Sequence, residues 1–146
     1  MSLMQFPNTV APKKPGEAQQ FDTLRDQLAT NVPMAIGMLL LSTDGLARCA
    51  YGLPDGQDDT LAAASSGLAS LANGTARALE GAESKFKHVN LTLERNHVIA
   101  TTCGEGSVLV VVLPLDARLG DAMRETVRIA GAFKPRMDTE PRTAGS

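Results

Sequence analysis

The chain has 146 residues, of which 43% are hydrophobic and 21% charged, with a net charge of −2 at pH 7. This length suits one globular domain with a single core, and the weakly acidic balance argues against a general nucleic-acid binder, which would present a basic face. The apolar runs are far shorter than the roughly 20 residues of a membrane helix, and no secretory signal is visible, so we expect a cytoplasmic protein.

The predicted elements begin after a proline-rich arm, residues 1–16, which we expect to be disordered. Apolar residues then recur every three or four positions from Phe21 to Val32, which predicts a helix that ends at Pro33. Residues 34–42 and 46–51 predict two strands joined by a hairpin at Asp44-Gly45. A loop with an acidic end leads into a predicted helix at residues 59–81.

The second half of the chain predicts three strands and a last helix. The strands lie at residues 86–94, 97–103 and 108–113, the first two joined by a turn at Arg95-Asn96, and the helix lies at residues 115–133. The first and fifth strands are apolar on both faces, so helices must cover both sides of the sheet. We therefore predict an α/β protein: a three-layer α-β-α sandwich on a five-stranded antiparallel sheet, in the order α-β-β-α-β-β-β-α. The domain spans residues 17–134, and residues 135–146 form a disordered tail.

The middle helix has an unusual composition, with leucines at helical intervals among alanine, serine and glycine. At about 100° per residue one stripe contains Leu61, Ala64, Leu68, Leu71, Ala72, Thr75 and Leu79, and we expect it to face the sheet. One small flank holds Ala63, Gly67, Ser70 and Gly74, and the other holds Ala62, Ser65, Ala69 and Ala76. Gly67 and Gly74 each cost about 1 kcal/mol relative to alanine, which close approach of another backbone would offset. The alternative, a helix enclosed by its own chain with tolerated glycines, stays open.

Few residues suggest catalysis. With a turn at Arg95-Asn96, Cys103 lies opposite His88, the one pairing of a thiol with a base. No third orienting group is identifiable, so we favour a core cysteine beside a solvent-facing histidine. Cys49 and Cys103 are expected to remain thiols. No phosphate-binding loop is present, and the two histidines do not form a metal site, so we predict no catalytic, metal or cofactor-binding residue.

Lys85 and Lys87 place positive charge at the start of the third strand, which we expect to be an edge strand. Lysines at an edge protect it against aggregation. Alternatively, the edge pairs with its own copy across a two-fold axis and extends the sheet through a dimer. The sequence leaves both interpretations open.

Four segments in this order resemble the bacterial branch of the roadblock family, the dynein light-chain-like domains. They are STDGL at 42–46, AAASSGLASL at 62–71, GSVLVV at 106–111 and LGDAM at 119–123. The resemblance extends from Phe21 to Phe133. It implies a homodimer in which the middle helices lie side by side and the third strands join two sheets into one.

The resemblance also implies a non-enzymatic partner of a small Ras-like GTPase, as an activator or a platform, and in actinobacterial-type operons an associated sensor kinase. Such activators reorganise the GTPase's own residues, so no arginine finger is required. We expect partner binding at Ala63, Gly67, Ser70, Gly74 and Arg77, and dimer contacts at Ala62, Ala69, Ala76, Lys85 and Lys87. Which flank of the middle helix meets its twin stays open. The alternatives are a structural adaptor without effect on nucleotide turnover, and an enzyme or small-molecule sensor that uses His88 and Cys103.

Overall fold

The computed structural model describes residues 2–138, with side chains up to residue 133. In this part of the chain a short 3-10 helix (Leu3–Gln5) is followed by α1 (Glu17–Asn31), β1 (Gly37–Ser42), β2 (Ala47–Tyr51), α2 (Asp58–Glu80), β3 (His88–Thr92), β4 (Asn96–Thr102), β5 (Ser107–Pro114) and α3 (Leu119–Asp138). The strands form one antiparallel sheet in the order β2-β1-β5-β4-β3, so β2 and β3 are its two edges. The predicted fold class and element order are confirmed.

Helices cover both faces of this sheet, as the apolar first and fifth strands predict. Because successive side chains of a strand point to opposite faces, β1 contributes to two cores. Met38 and Leu40 pack with residues of α1 and α3, whereas Leu39 and Leu41 pack beneath α2. The terminal helices therefore form one outer layer and α2 forms the other.

The N-terminal arm is ordered along the β2 edge, which differs from the predicted disorder of residues 1–16. Leu3 is fully buried in the core shared with α1 and α3. The Arg25 guanidinium donates to the carbonyl of Phe6 at 3.0 Å, and Asn8 and Thr9 bond to the backbone of Ala50. Proline content and the absence of periodicity predicted disorder, but burial of Leu3 and these backbone bonds favour the ordered arm and counter part of its ordering entropy.

A carboxylate fastens the end of the arm to β2. The side chain of Glu17 accepts hydrogen bonds from the backbone N–H groups of Lys13 and Lys14 at 2.9 and 3.2 Å, and it forms an ion pair with Arg48 at 3.0 Å. Burial alone would raise the pKa of Glu17, but these N–H groups and the guanidinium hold the pKa below its usual value of 4.5. The charged form is therefore the one that the folded state favours.

Glu17→Gln is expected to lower the free energy of unfolding at neutral pH by about 1–2 kcal/mol, because it removes the charge from buried charge-assisted hydrogen bonds. A lowered folded-state pKa stabilises the protein above the unfolded pKa, and this contribution is lost as the pH falls through the folded value. The difference between wild type and variant should therefore shrink below about pH 4 in urea unfolding curves. Glu83→Gln, at an exposed position, is the control, and a pH-independent difference would contradict the assignment.

At the other end of the chain, α3 continues to Asp138, so the predicted start of a tail at residue 135 falls inside this helix. The remainder of the predicted tail, residues 139–146, lies outside the described residues.

Candidate functional site

The face of α2 that packs on the sheet is made of small residues. Ala62, Ser65 and Ala69 are buried, and they lie over β1, β2 and β5. Small side chains bring the helix close to the bulky aliphatic side chains of the sheet. The buried face is therefore rotated by roughly 100° from the predicted leucine stripe, at 100° per residue. Of that stripe, Leu61 and Leu68 still pack half-buried against this core.

This rotation changes the predicted dimer contacts. Ala62 and Ala69 contact the sheet of their own chain, so they are removed from any surface that a second chain reaches. Ala76 is half-buried, further along the same side of the helix. Lys85 and Lys87 remain exposed at the entrance to β3.

The leucine stripe is instead uncovered at the C-terminal half of α2. Leu71 is 72% exposed and Leu79 is 80% exposed. Below them a groove runs between α2 and the start of β3, lined by Leu68, Ala72, Ala76, Phe86 and Val89 among others. Residues of this size are normally buried, and clustered exposure is typical of an interaction surface.

The edge of β3 continues this apolar surface. Val89 and Leu91 pair with Ala100 and Val98, whose side chains belong to the core under α2. Val89 and Leu91 therefore lie on the α2 side of the sheet, next to the groove. We call Leu71, Leu79, Val89 and Leu91 the apolar patch.

The backbone of β3 also presents hydrogen-bonding groups at this edge. Leu93 donates its N–H to the carbonyl of Asn96 at 2.8 Å, and Thr102 donates to the carbonyl of Lys87 at 3.2 Å. Because bonded and non-bonded pairs alternate in an antiparallel ladder, Val89 and Leu91 bond to β4, and the N–H and C=O groups of three residues point outward. These are His88, Asn90 and Thr92.

The predicted partner surface lies on the outer side of α2. Ala63, Gly67, Ser70 and Arg77 are exposed, and Gly74 is half-buried. No atom lies within 4 Å of the position that a Cβ would take at Gly67 or Gly74, so packing within the described chain requires neither glycine. Among the described residues nothing encloses this side of the helix, as the alternative required, and nothing compensates for the cost of these glycines.

The predicted pairing of His88 with Cys103 is wrong. The turn is Glu94-Arg95, not Arg95-Asn96, which shifts the register so that His88 lies opposite Thr101. Cys103 is buried among residues of α1 and α3, and its thiol donates to the carbonyl of Ala130 at 3.6 Å. The alternative of an enzyme or sensor built on this pair loses its geometric basis.

Other reactive groups lie in the core. Burial raises the pKa of the Cys49 thiol far above its usual range, so the thiolate that would act as a nucleophile is disfavoured. Burial and a hydrogen bond to Asp22 at 2.8 Å likewise raise the pKa of Tyr51. Among the described residues, no group of three or more His, Cys, Asp or Glu side chains is arranged to hold a metal ion. No helix within residues 2–138 is both long and apolar enough to cross a membrane.

Comparison with known proteins identifies the domain. Residues 22–113 match the model of the Roadblock/LC7 domain. A Roadblock/LC7 domain from Streptomyces avermitilis is similar in structure, with 28% identity, a TM-score of 0.70, and coverage of 80% of this chain and 96% of the other. No curated protein matches the chain in sequence.

Two further structures share the fold at lower identity. The gliding protein MglB from Thermus thermophilus is 21% identical with a TM-score of 0.73, over 86% of this chain and 96% of the other. Myxococcus xanthus MglB is 17% identical with a TM-score of 0.77, over 92% of this chain and all of the other. With the family model matched over most of the domain, the chain belongs to the Roadblock/LC7 domain family.

Proposed function

We propose that this chain is a homodimeric regulator of a small Ras-like GTPase. The observation that carries the proposal is the uncovered apolar patch on α2 and β3, which a monomer would leave in water. The role is non-enzymatic in itself, because the GTPase supplies the catalytic residues. The family assignment supports this kind of accessory function.

In the proposed dimer, the apolar patches of two copies face each other across a two-fold axis. Such an axis makes the two β3 edges antiparallel, so that the outward groups of Asn90 meet those of the partner strand. The same interface buries Leu71 and Leu79, and each buried leucine stabilises the dimer by about 1.5–3 kcal/mol. Lys85 and Lys87 lie at the rim of this interface, where charge sets orientation more than affinity.

The outer side of α2 then forms the proposed surface for the GTPase. Ala63, Gly67 and Ser70 let a partner approach the helix backbone closely, and the dimer brings two such surfaces together. Hydrolysis would be promoted by ordering the GTPase's own active-site residues against this surface. The alternative is a structural adaptor that binds the GTPase, or two proteins at once, and leaves nucleotide turnover unchanged.

Replacing Arg77 distinguishes activation through the GTPase's own residues from activation by an arginine finger that this chain supplies. With a Ras-like GTPase of the same organism loaded with GTP, we expect the chain to raise the rate of phosphate release. Arg77→Ala should change that rate by no more than about twofold, whereas loss of an arginine finger costs about 10³-fold or more.

The control for this assay is Arg124→Ala, which removes an exposed arginine from α3 on the opposite side of the sheet. A loss of a thousandfold in the Arg77 variant alone would contradict activation through the GTPase's own residues. Binding without any change in the rate of hydrolysis would favour the adaptor.

A further inference from the structure

The second edge of the sheet, β2, is covered by the N-terminal arm. Asn8 accepts the N–H of Ala50 through its Oδ1 at 3.0 Å, and the N–H of Thr9 donates to the carbonyl of Ala50 at 2.9 Å. The arm thus takes both outward hydrogen-bonding groups of this β2 residue, as a neighbouring strand would.

The arm is held in this position at both ends. Leu3 anchors its beginning in the core, and the carboxylate of Glu17 binds the backbone of Lys13 and Lys14 at its end. Between them, Asn8 also accepts the N–H of Val10 at 3.0 Å, which fixes the turn that points its amide at β2. The hydroxyl of Thr9 donates to Asp58 at the start of α2. The contacts on Ala50 are therefore built into a braced segment.

We infer that the β2 edge is a second strand-pairing surface for another copy of this chain, and that residues 2–12 keep it closed. An edge strand with unpaired backbone groups is a template for pairing with another chain. Two copies that met at β2 would do so by a two-fold, antiparallel pairing of the kind proposed at β3.

A closed β2 edge has a consequence for assembly. For a chain with two self-complementary edges at opposite ends of its sheet, geometry does not limit the number of copies that assemble, because alternating contacts generate an open-ended array. With β2 covered, only β3 is left for pairing, and assembly ends at the dimer. This consequence rests on the proposed dimer, whereas the closure of β2 does not.

The test is to uncover β2 while leaving the anchor of the arm in place. The double variant Asn8→Ala/Thr9→Pro removes the acceptor and the donor that bond to Ala50 but keeps Leu3. We expect the Ala50 amide to exchange with solvent at least tenfold faster at low concentration, and we expect sedimentation to show species at least twice the wild-type mass as concentration rises. Asn8→Asp, which keeps an acceptor for the same N–H groups, should behave as wild type.

Adding Asn90→Pro to the double variant separates the two edges. Proline at this outward position removes an N–H from the β3 edge without removing a bond to β4, so growth should stop at pairs joined through β2. Two results would overturn the inference: an Ala50 amide that exchanges fast in a variant of wild-type mass, or an Ala50 amide that stays protected. A monomeric wild type would instead count against the proposed dimer. If the double variant still associated while the wild type stayed monomeric, closure of β2 by the arm would be supported.

Discussion

Replacing Leu71 and Leu79 together with lysine is expected to convert the dimer into a monomer without unfolding it. Both side chains are largely exposed in the isolated chain, so their loss removes little of its own packing. In the dimer four leucines would be lost, which weakens association by roughly 1,000-fold or more. Lysine is a good helix former and suits the C-terminal half of a helix, so unfolding of the monomer should change by less than about 0.5 kcal/mol.

The control for this variant is Leu115→Lys, a comparable change at a half-exposed leucine between β5 and α3. It should leave the mass of the particle unchanged in sedimentation equilibrium. If the double variant kept the wild-type mass over the same range of concentrations, the apolar patch would not be the interface.

Gly67→Arg is expected to abolish binding of the Ras-like GTPase while leaving the dimer intact. No neighbouring group in residues 2–138 fills the space above Gly67, so an arginine fits the fold and raises helix stability by up to about 1 kcal/mol. A partner that approaches the helix backbone meets a long charged side chain instead, and we expect its affinity to fall by at least about 100-fold, or about 2.8 kcal/mol.

A matched control is available in α3. Gly131 is also an exposed glycine within a helix with no atom near its Cβ position, but it lies on the opposite side of the sheet. Gly131→Arg should gain similar stability and bind the GTPase as wild type does. Titration calorimetry on both variants, with their mass measured in parallel, distinguishes a lost surface from a lost dimer. If both variants bound the GTPase equally well, the outer side of α2 would not be the GTPase-binding surface.

The element order followed from patterns that depend on local chemistry. Asp44-Gly45 predicted the first hairpin, and Gly45 indeed adopts a φ of +91°, which suits glycine. Apolar runs bounded by turn residues predicted the strands of the sheet, because such a run can be recognised from neighbouring residues alone. These signals are local, and the structure confirms them.

The orientation of α2 could not be predicted in the same way. Leu71 and Ala69 both belong to stripes with helical spacing, and hydrophobicity alone assigns the leucines to the core. The sheet beneath α2 is already filled by large side chains such as Leu39 and Val110, so the helix packs with alanine and serine. The volume available between the helix and the sheet decides which face of α2 packs inward. This volume is a property of the assembled fold.

The register of β3 and the order of the arm were missed for a related reason. The turn lies one residue earlier than predicted, at Glu94-Arg95, so Thr101 and not Cys103 lies opposite His88. Single-sequence patterns do not resolve a difference of one residue in the position of a turn. The arm has no periodicity, yet Leu3 reaches the core and Asn8 bonds to a strand far away in sequence. Both depend on contacts between distant residues.

The proposed pairing of two β3 edges is tested most directly by amide hydrogen exchange at His88, Asn90 and Thr92. Their N–H groups point away from β4, so the fold of one chain does not protect them. We predict slow exchange in the wild-type protein, at Asn90 above all, and fast exchange in Leu71→Lys/Leu79→Lys. Equally fast exchange at Asn90 in a wild-type dimer would contradict pairing through β3.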